Sequence, residues 1–166
     1  MRTKARDEEF RGFYFAQAPR LRRLALLLCG SPSAADDLAQ EALLRAYRAW
    51  GRIRDEDPGP YVRRTLVNLH RNDMRRRMLE IRKRPEPILD SPSHDHGVEE
   101  ALHVAKALSH LSPVRRATVI LRFYEDLPEK EIAALLDRPL GTVKSDLHRA
   151  LATLRPLLIE TAKENG

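Results

Sequence analysis

Lys144, Ser145, His148 and Arg149 cluster near the start of TVKSDLHRALATLR, a segment whose apolar residues recur at helical spacing. Val143, Leu147, Ala150, Leu151 and Leu154 stand at i, i+4, i+7, i+8 and i+11, which fixes a buried face and leaves the polar four on the opposite one. Lys and Arg pair with guanine or phosphate, and Ser contacts either. Upstream lies EKEIAALL, then the short turn DRPLG. Two helices joined in this way form a helix-turn-helix, whose second helix meets base edges with its N-terminal half. Ala133 and Ala134 are small enough for a close crossing. Gly141 permits a backbone conformation that a Cβ would oppose, and Thr142 is the predicted cap of the second helix. A plain αα-hairpin with a charged face shares the periodicity. The turn chemistry, the cap and the position of the polar cluster favour DNA binding.

Around this unit the second half of the chain predicts two more helices. Val98, Leu102, Ala105, Leu108 and Leu111 mark one. Ser112-Pro113, a cap followed by Pro at the first helical position, opens the other, with Val114, Ala117, Ile120, Leu121 and Tyr124 inward. The last helix is predicted from Thr142 to about Ile159. In the first half, residues 8–28 carry Phe10, Phe13, Tyr14, Leu21, Leu24, Ala25 and Leu28 at helical spacing, with Pro19 a point of break or kink. Gly30-Ser31-Pro32-Ser33 stops that helix, and Ser33 is the predicted cap of the next. Residues 34–50, AADDLAQEALLRAYRAW, are strongly amphipathic. Ala35, Leu38, Ala39, Ala42, Leu43, Ala46 and Trp50 share one face; Asp37, Glu41, Arg45 and Arg48 fall on another, with Asp36 and Gln40 beside them. GRIRDEDPGP reads as a loop and 61–84 as a helix with Val62, Leu66, Leu69 and Ile81 inward. No segment has strand alternation. The fold class is therefore all-α: two small helical domains, 1–84 and 98–166, joined by a flexible Pro/Ser/Gly linker, 85–97.

Charge separates the halves. The 166 residues carry a net +6. Residues 1–77 hold 17 Lys+Arg against 10 Asp+Glu, residues 78–97 hold 3 against 4, and residues 98–166 hold 10 against 10. The basic excess of the first half suits nucleic acid or an anionic surface, or a solvated basic face. The longest apolar run, Leu24 to Cys29, is far short of the roughly 20 residues a bilayer needs. The charged N-terminus is not a secretory signal. The single cysteine, Cys29, excludes an internal disulfide and fits a reducing cytoplasm, where it reads as a small buried apolar residue. No metal or cofactor is expected: His94 and His96 stand in the linker without a Cys or further ligand nearby. No paired carboxylates, Cys-His pair or Gly-rich phosphate loop point to an enzyme.

From about Phe10 to Leu158 the chain resembles the extracytoplasmic-function sigma factors, the minimal branch of the sigma-70 family. LSPVRRATVILRFYEDLPEKEIAALLDRPLGTVKSDLHRALATLR is similar to the family's minus-35 domain. AADDLAQEALLRAYRAW is similar to its polymerase-docking helix, and YVRRTLVNLHRNDMRRR to its minus-10 helix. The resemblance implies that 1–84 is a region 2 domain and 98–166 a region 4 domain. It implies a function: binding core RNA polymerase, through the coiled coil of its largest subunit and its flap, and directing promoter-specific initiation in the cytoplasm, at the nucleoid when in holoenzyme. An anti-sigma factor is a further candidate partner. Docking falls to Asp36, Asp37, Gln40, Glu41 and Arg45, an acidic and amide patch that would repel phosphate but suits a protein contact. Minus-10 binding falls to Tyr61, Arg63, Arg64, Asn68, Arg71, Asn72, Arg75 and Arg76, with Arg77 a further phosphate contact. Asn68 carries the donor and acceptor suited to a base edge. Minus-35 binding falls to Thr142, Lys144, Ser145, Asp146, His148 and Arg149.

Three positions depart from the family's pattern. Asp146 stands where many relatives carry a basic residue; it could accept from a cytosine amine, or pair with Arg149 or another neighbour. Asn72 stands where relatives often have Asp. The loop before Tyr61 lacks the aromatic that stacks on a melted base, leaving Trp50 and Tyr61 as the nearest candidates, both of which also suit a core. The alternative function is a helix-turn-helix regulator acting without polymerase, which leaves the 34–50 helix and Asn68 without a role.

Overall fold

A computed structural model describes residues 2–80 and 96–164. Among the described residues all regular structure is helical: α1 (Arg2–Cys29), α2 (Pro32–Ile53), α3 (Pro58–Glu80), α4 (His96–Leu108), α5 (Pro113–Phe123), α6 (Glu129–Leu136) and α7 (Leu140–Glu164). The expected linker lies outside the described residues except for its last two, which open α4. The chain groups into two compact units, Met1–Ala25 with Ser31–Asp90 and Leu26–Gly30 with Ser91–Gly166.

In the first unit α1 runs through Pro19 without a break. Proline removes one i→i−4 bond. Here the carbonyl left over is that of Phe15, and Phe15 and Pro19 are both exposed, so water can serve it. Gly30 ends α1 at φ +73°, its N–H on the Leu26 carbonyl at 2.8 Å. The cap of α2 is Ser31 rather than Ser33: its side chain accepts from the Ala34 N–H, and Pro32 fills the first helical position. That placement uses both residues for what they do best, since Pro has no N–H to leave unsatisfied. Between α2 and α3 only residues 54–57 are non-helical, a shorter loop than GRIRDEDPGP predicts. The Asp57 carboxylate accepts from the Gly59 N–H at 3.0 Å and caps α3.

The core of this unit joins Leu21 and Leu24 to the α2 stripe Ala35, Ala39, Ala42, Leu43, Ala46 and Trp50, and to Val62, Leu66 and Val67 of α3. Leu38 is half-buried at the stripe's edge. Val67 and His70 take the inward places expected of Leu69, which is half-buried; Ile81 lies outside the described residues. Trp50 is 4% exposed and lies edge-on to Phe10, ring centroids 5.1 Å apart, with Phe13 also at 5.1 Å. Its ring is core.

In the second unit Ala101, Ala105 and Leu108 of α4, Ala117, Ile120 and Leu121 of α5, Ile132 and Leu136 of α6, and Val143, Leu147, Ala150 and Leu154 of α7 are buried. Ser112 caps α5 with Pro113 behind it, as the sequence predicts.

Candidate nucleic-acid interface

The turn between α6 and α7 is built differently from the expectation. The left-handed residue is Asp137, at φ 54° and ψ 53°, not Gly141. The Asp137 N–H donates to Ala134 O at 3.3 Å and the Arg138 N–H to Ala133 O at 2.9 Å. This is the Schellman arrangement, which satisfies the last carbonyls of α6. Asp tolerates the left-handed region better than most non-glycine residues. Ile132 and Leu136 carry the packing of α6, while Ala134 is exposed and Ala133 half-buried. Gly141 has ordinary helical backbone and nothing within 4 Å of where a Cβ would sit. Thr142 is not a cap: α7 starts at Leu140, and the N–H groups of Thr142 and Val143 donate to Pro139 O at 3.0 and 3.1 Å.

On α7, Lys144, Ser145, His148 and Arg149 are all exposed, opposite buried Val143, Leu147, Ala150 and Leu154; Leu151 is half-buried. The structure therefore brings the four polar residues onto one outward strip, with Thr142 half-buried at its edge. Lys144 Nζ is 4.0 Å from Glu129 of α6, a loose exposed pair that leaves the ammonium available. Ser145 Oγ donates to Thr142 O at 3.0 Å and keeps its lone pairs for an incoming donor.

Asp146 does not belong to that strip. It is 7% exposed. Arg115 Nε donates to Oδ1 at 3.3 Å, and Arg138 Nη2 lies 3.6 Å from Oδ2. Of the expected alternatives, pairing with a neighbour is the one present, with Arg115 and Arg138 rather than Arg149. Spacing explains it: Asp146 is i+3 from Val143 and i−4 from Ala150, on the flank of the buried stripe. Arg115 and Arg138 carry no functional signal in the sequence, since pairs from separate elements leave no periodic pattern.

On α3 the unbroken helix puts Tyr61, Arg64, Asn68, Arg71, Asn72 and Arg75 on one strip, at i, i+3, i+7, i+10, i+11 and i+14. Arg64, Asn72 and Arg75 are exposed; Tyr61, Asn68 and Arg71 are half-buried. Two expected members stand apart. Arg63 is half-buried one position round the helix, its guanidinium 3.0 Å from where a Cβ on Gly59 would be. Arg76 pairs with Asp73 at 2.7 Å, and the same carboxylate holds Arg77 at 2.9 Å.

On α2, Asp37 and Gln40 are exposed. Asp36 pairs with Arg22 at 2.7 Å, and Glu41 with Arg45 at 2.7 Å. No acid lies in the first turn of α2, so the helix dipole, which acts within one turn, does not account for this patch. Leu44, 43% exposed, stands four residues after Gln40 and three after Glu41, an apolar centre to the polar face that the sequence pattern does not single out. Among the described residues no group of His, Cys, Asp and Glu could hold a metal ion, and no helix is long and apolar enough to cross a membrane.

Residues 14–79 match the family described as Sigma-70 region 2, and residues 102–154 match Sigma-70, region 4. The chain is 37% identical over 155 residues to the RNA polymerase sigma-E factor of Streptomyces coelicolor, covering 91% of this chain and 86% of that protein. It is 33% identical over 159 residues to the ECF RNA polymerase sigma factor SigL of Mycobacterium tuberculosis, covering 90% and 89%. Among solved structures it is similar to the sigma factor RpoE in complex with the anti-sigma factor NepR from Bartonella quintana, with TM-score 0.69, 26% identity, and 91% of this chain and 97% of that one covered. The chain belongs to the sigma-70 family of RNA polymerase sigma factors, in its extracytoplasmic-function branch.

Proposed function

We propose that this sigma factor divides promoter recognition between its halves, 1–84 and 98–166. The strip Lys144, Ser145, His148 and Arg149 reads the minus-35 duplex from the major groove. The α3 strip Tyr61, Arg64, Asn68, Arg71, Asn72 and Arg75 holds the opened minus-10 strand, with the arginines on phosphates and Asn68 on a base edge. Asp37, Gln40, Glu41 and Leu44, with Asp36 and Arg45 at the rim, dock on core polymerase. The protein has no catalytic step of its own; polymerase supplies the chemistry. It works in the cytoplasm, and at the nucleoid when in holoenzyme. An anti-sigma partner fits the likeness to RpoE, which was solved with one.

The observation that carries the reading is the four-residue polar strip of α7, exposed opposite a buried stripe, in a chain that matches both sigma regions. The test is reconstitution. The chain added to core polymerase should direct run-off transcription from a subset of a genomic promoter library, and core polymerase alone should not. A chain that binds duplex DNA but never joins core polymerase is a free-standing regulator instead.

A further inference from the structure

Asp146 joins three elements. It sits on α7, Arg115 in the first turn of α5, and Arg138 in the turn between α6 and α7. The carboxylate is 9% exposed, whereas the two arginine side chains are 33% and 35% exposed. A carboxylate that deep requires pairing. A guanidinium carries five N–H donors; Arg115 bonds the acid through Nε and Arg138 approaches it through Nη2 at ion-pair distance, which leaves other donors on both partly exposed side chains. Thr142 precedes Asp146 by four residues and Arg149 follows it by three, so the acid borders the outward strip of α7 along its Thr142–Ser145–Arg149 edge.

We infer that Asp146 is a positioning residue for duplex binding: it does not touch DNA, but holds Arg115 and Arg138 as a phosphate-binding pair beside the reading strip. The inference rests on the reading of α7 given above. Arg is suited to the task because its planar fork meets phosphate oxygens bidentately once it is oriented. A long side chain held in place before binding loses less freedom on contact than a free one. The acid also makes the sign of the effect diagnostic. By charge alone, removing a carboxylate beside DNA tightens binding. If the carboxylate positions two phosphate contacts, removing it weakens binding.

The experiment measures holoenzyme binding to a promoter duplex recovered from the library by run-off transcription, over a series of salt concentrations. Asp146→Asn should bind several-fold more weakly than the parent, and the slope of log K against log salt should shrink by about one to two, as expected when one or two phosphates are no longer neutralised. Equal or tighter binding overturns the assignment. If Asp146→Asn does not fold, Arg115→Gln and Arg138→Gln, which keep a donor for the carboxylate, take its place. Each should reduce the slope by about one, and an unchanged slope in both overturns the assignment. Lys144→Ala and Arg149→Ala run in parallel. If these two leave binding intact, the reading of α7 itself falls. If they weaken it while the Asp146 and arginine variants do not, only the positioning role falls.

Discussion

Arg22 Nε donates to Asp36 Oδ1 at 2.7 Å, tying α1 to α2 at the rim of the proposed polymerase-docking face. Both groups are well exposed, so the pair contributes less than about 1 kcal/mol to stability. Its effect is on availability: Asp36 already faces a cation, as Glu41 faces Arg45. The proposed docking face therefore centres on exposed Asp37, Gln40 and Leu44, with the Glu41–Arg45 pair beside them. Gln40→Ala combined with Glu41→Ala should weaken assembly with core polymerase and leave the circular dichroism and melting temperature unchanged, because neither truncation opens a cavity. Leu44→Ala should act in the same direction, and Asp36→Ala less. A binding titration against core polymerase checks this; undiminished affinity in the double variant takes α2 out of the docking role.

Trp50 is the chain's one tryptophan, and its ring is enclosed by Phe10 and Phe13. Trp50→Ala should cost about 3–5 kcal/mol in denaturant unfolding. Trp50→Phe should cost under about 2 kcal/mol. Because the ring is internal, Trp50→Phe holoenzyme should open the minus-10 region to the parent's extent at a temperature where both are folded, as read by permanganate reactivity of unpaired thymines. A selective loss of opening with folding intact would return Trp50 to a stacking role.

Burial at helical spacing was the part of the fold legible in the sequence. The α2 stripe from Ala35 to Trp50 and the α7 stripe from Val143 to Leu154 are buried where their periodicity puts them, with Leu38 and Leu151 half-buried at their edges, because one face of each helix has nowhere else to go. Helix ends were less legible. Ser31 and Ser33 are both competent caps, and only Pro32 at the first helical position decides between them. The α6–α7 turn departs from expectation because a glycine draws attention, while the left-handed position is taken by Asp137, two residues after Leu135 and without any compositional flag. Strips spread along one helix, such as Tyr61 to Arg75, follow from spacing once the helix is known to be unbroken. The Asp146–Arg115–Arg138 cluster does not, since Arg115 and Arg138 stand 31 and 8 positions before the acid and meet it only through tertiary packing.

Gly141 presents a separate test. It is exposed, its backbone is ordinary helix, and a Cβ would touch nothing. The fold therefore does not require glycine there. Gly141→Ala should stabilise the protein by about 0.4–1 kcal/mol, chiefly by restricting the unfolded chain. That gain would appear as a rise in melting temperature. The position lies on the proposed reading strip, three residues before Lys144, where a bare backbone would let DNA approach closely. The same substitution should then lower promoter binding by holoenzyme. Higher stability with unchanged promoter binding would show that no close approach occurs at this point.

Lys144 and Arg149, on the proposed reading strip, distinguish two ways of contacting DNA by their expected loss-of-function patterns. Both are exposed and point away from Val143, Leu147 and Leu154, so replacing either by Ala should leave the melting temperature close to the parent's. An arginine that reads guanine contributes at one base pair. Its loss should cost about 1–3 kcal/mol on the preferred promoter and flatten the preference at that position alone. A lysine that neutralises a phosphate contributes equally on every sequence. Its loss should weaken all promoters alike and reduce the salt slope by about one. The loose 4.0 Å pair of Lys144 with Glu129 suits the second behaviour, because a point charge held at the helix rim needs no fixed geometry to meet a phosphate. Arg149, five residues along the strip, is the one expected to show base preference. Transcription from a set of minus-35 variants by Arg149→Ala and Lys144→Ala holoenzymes distinguishes the two patterns. If both variants transcribe every promoter as the parent does, this face of α7 does not read DNA.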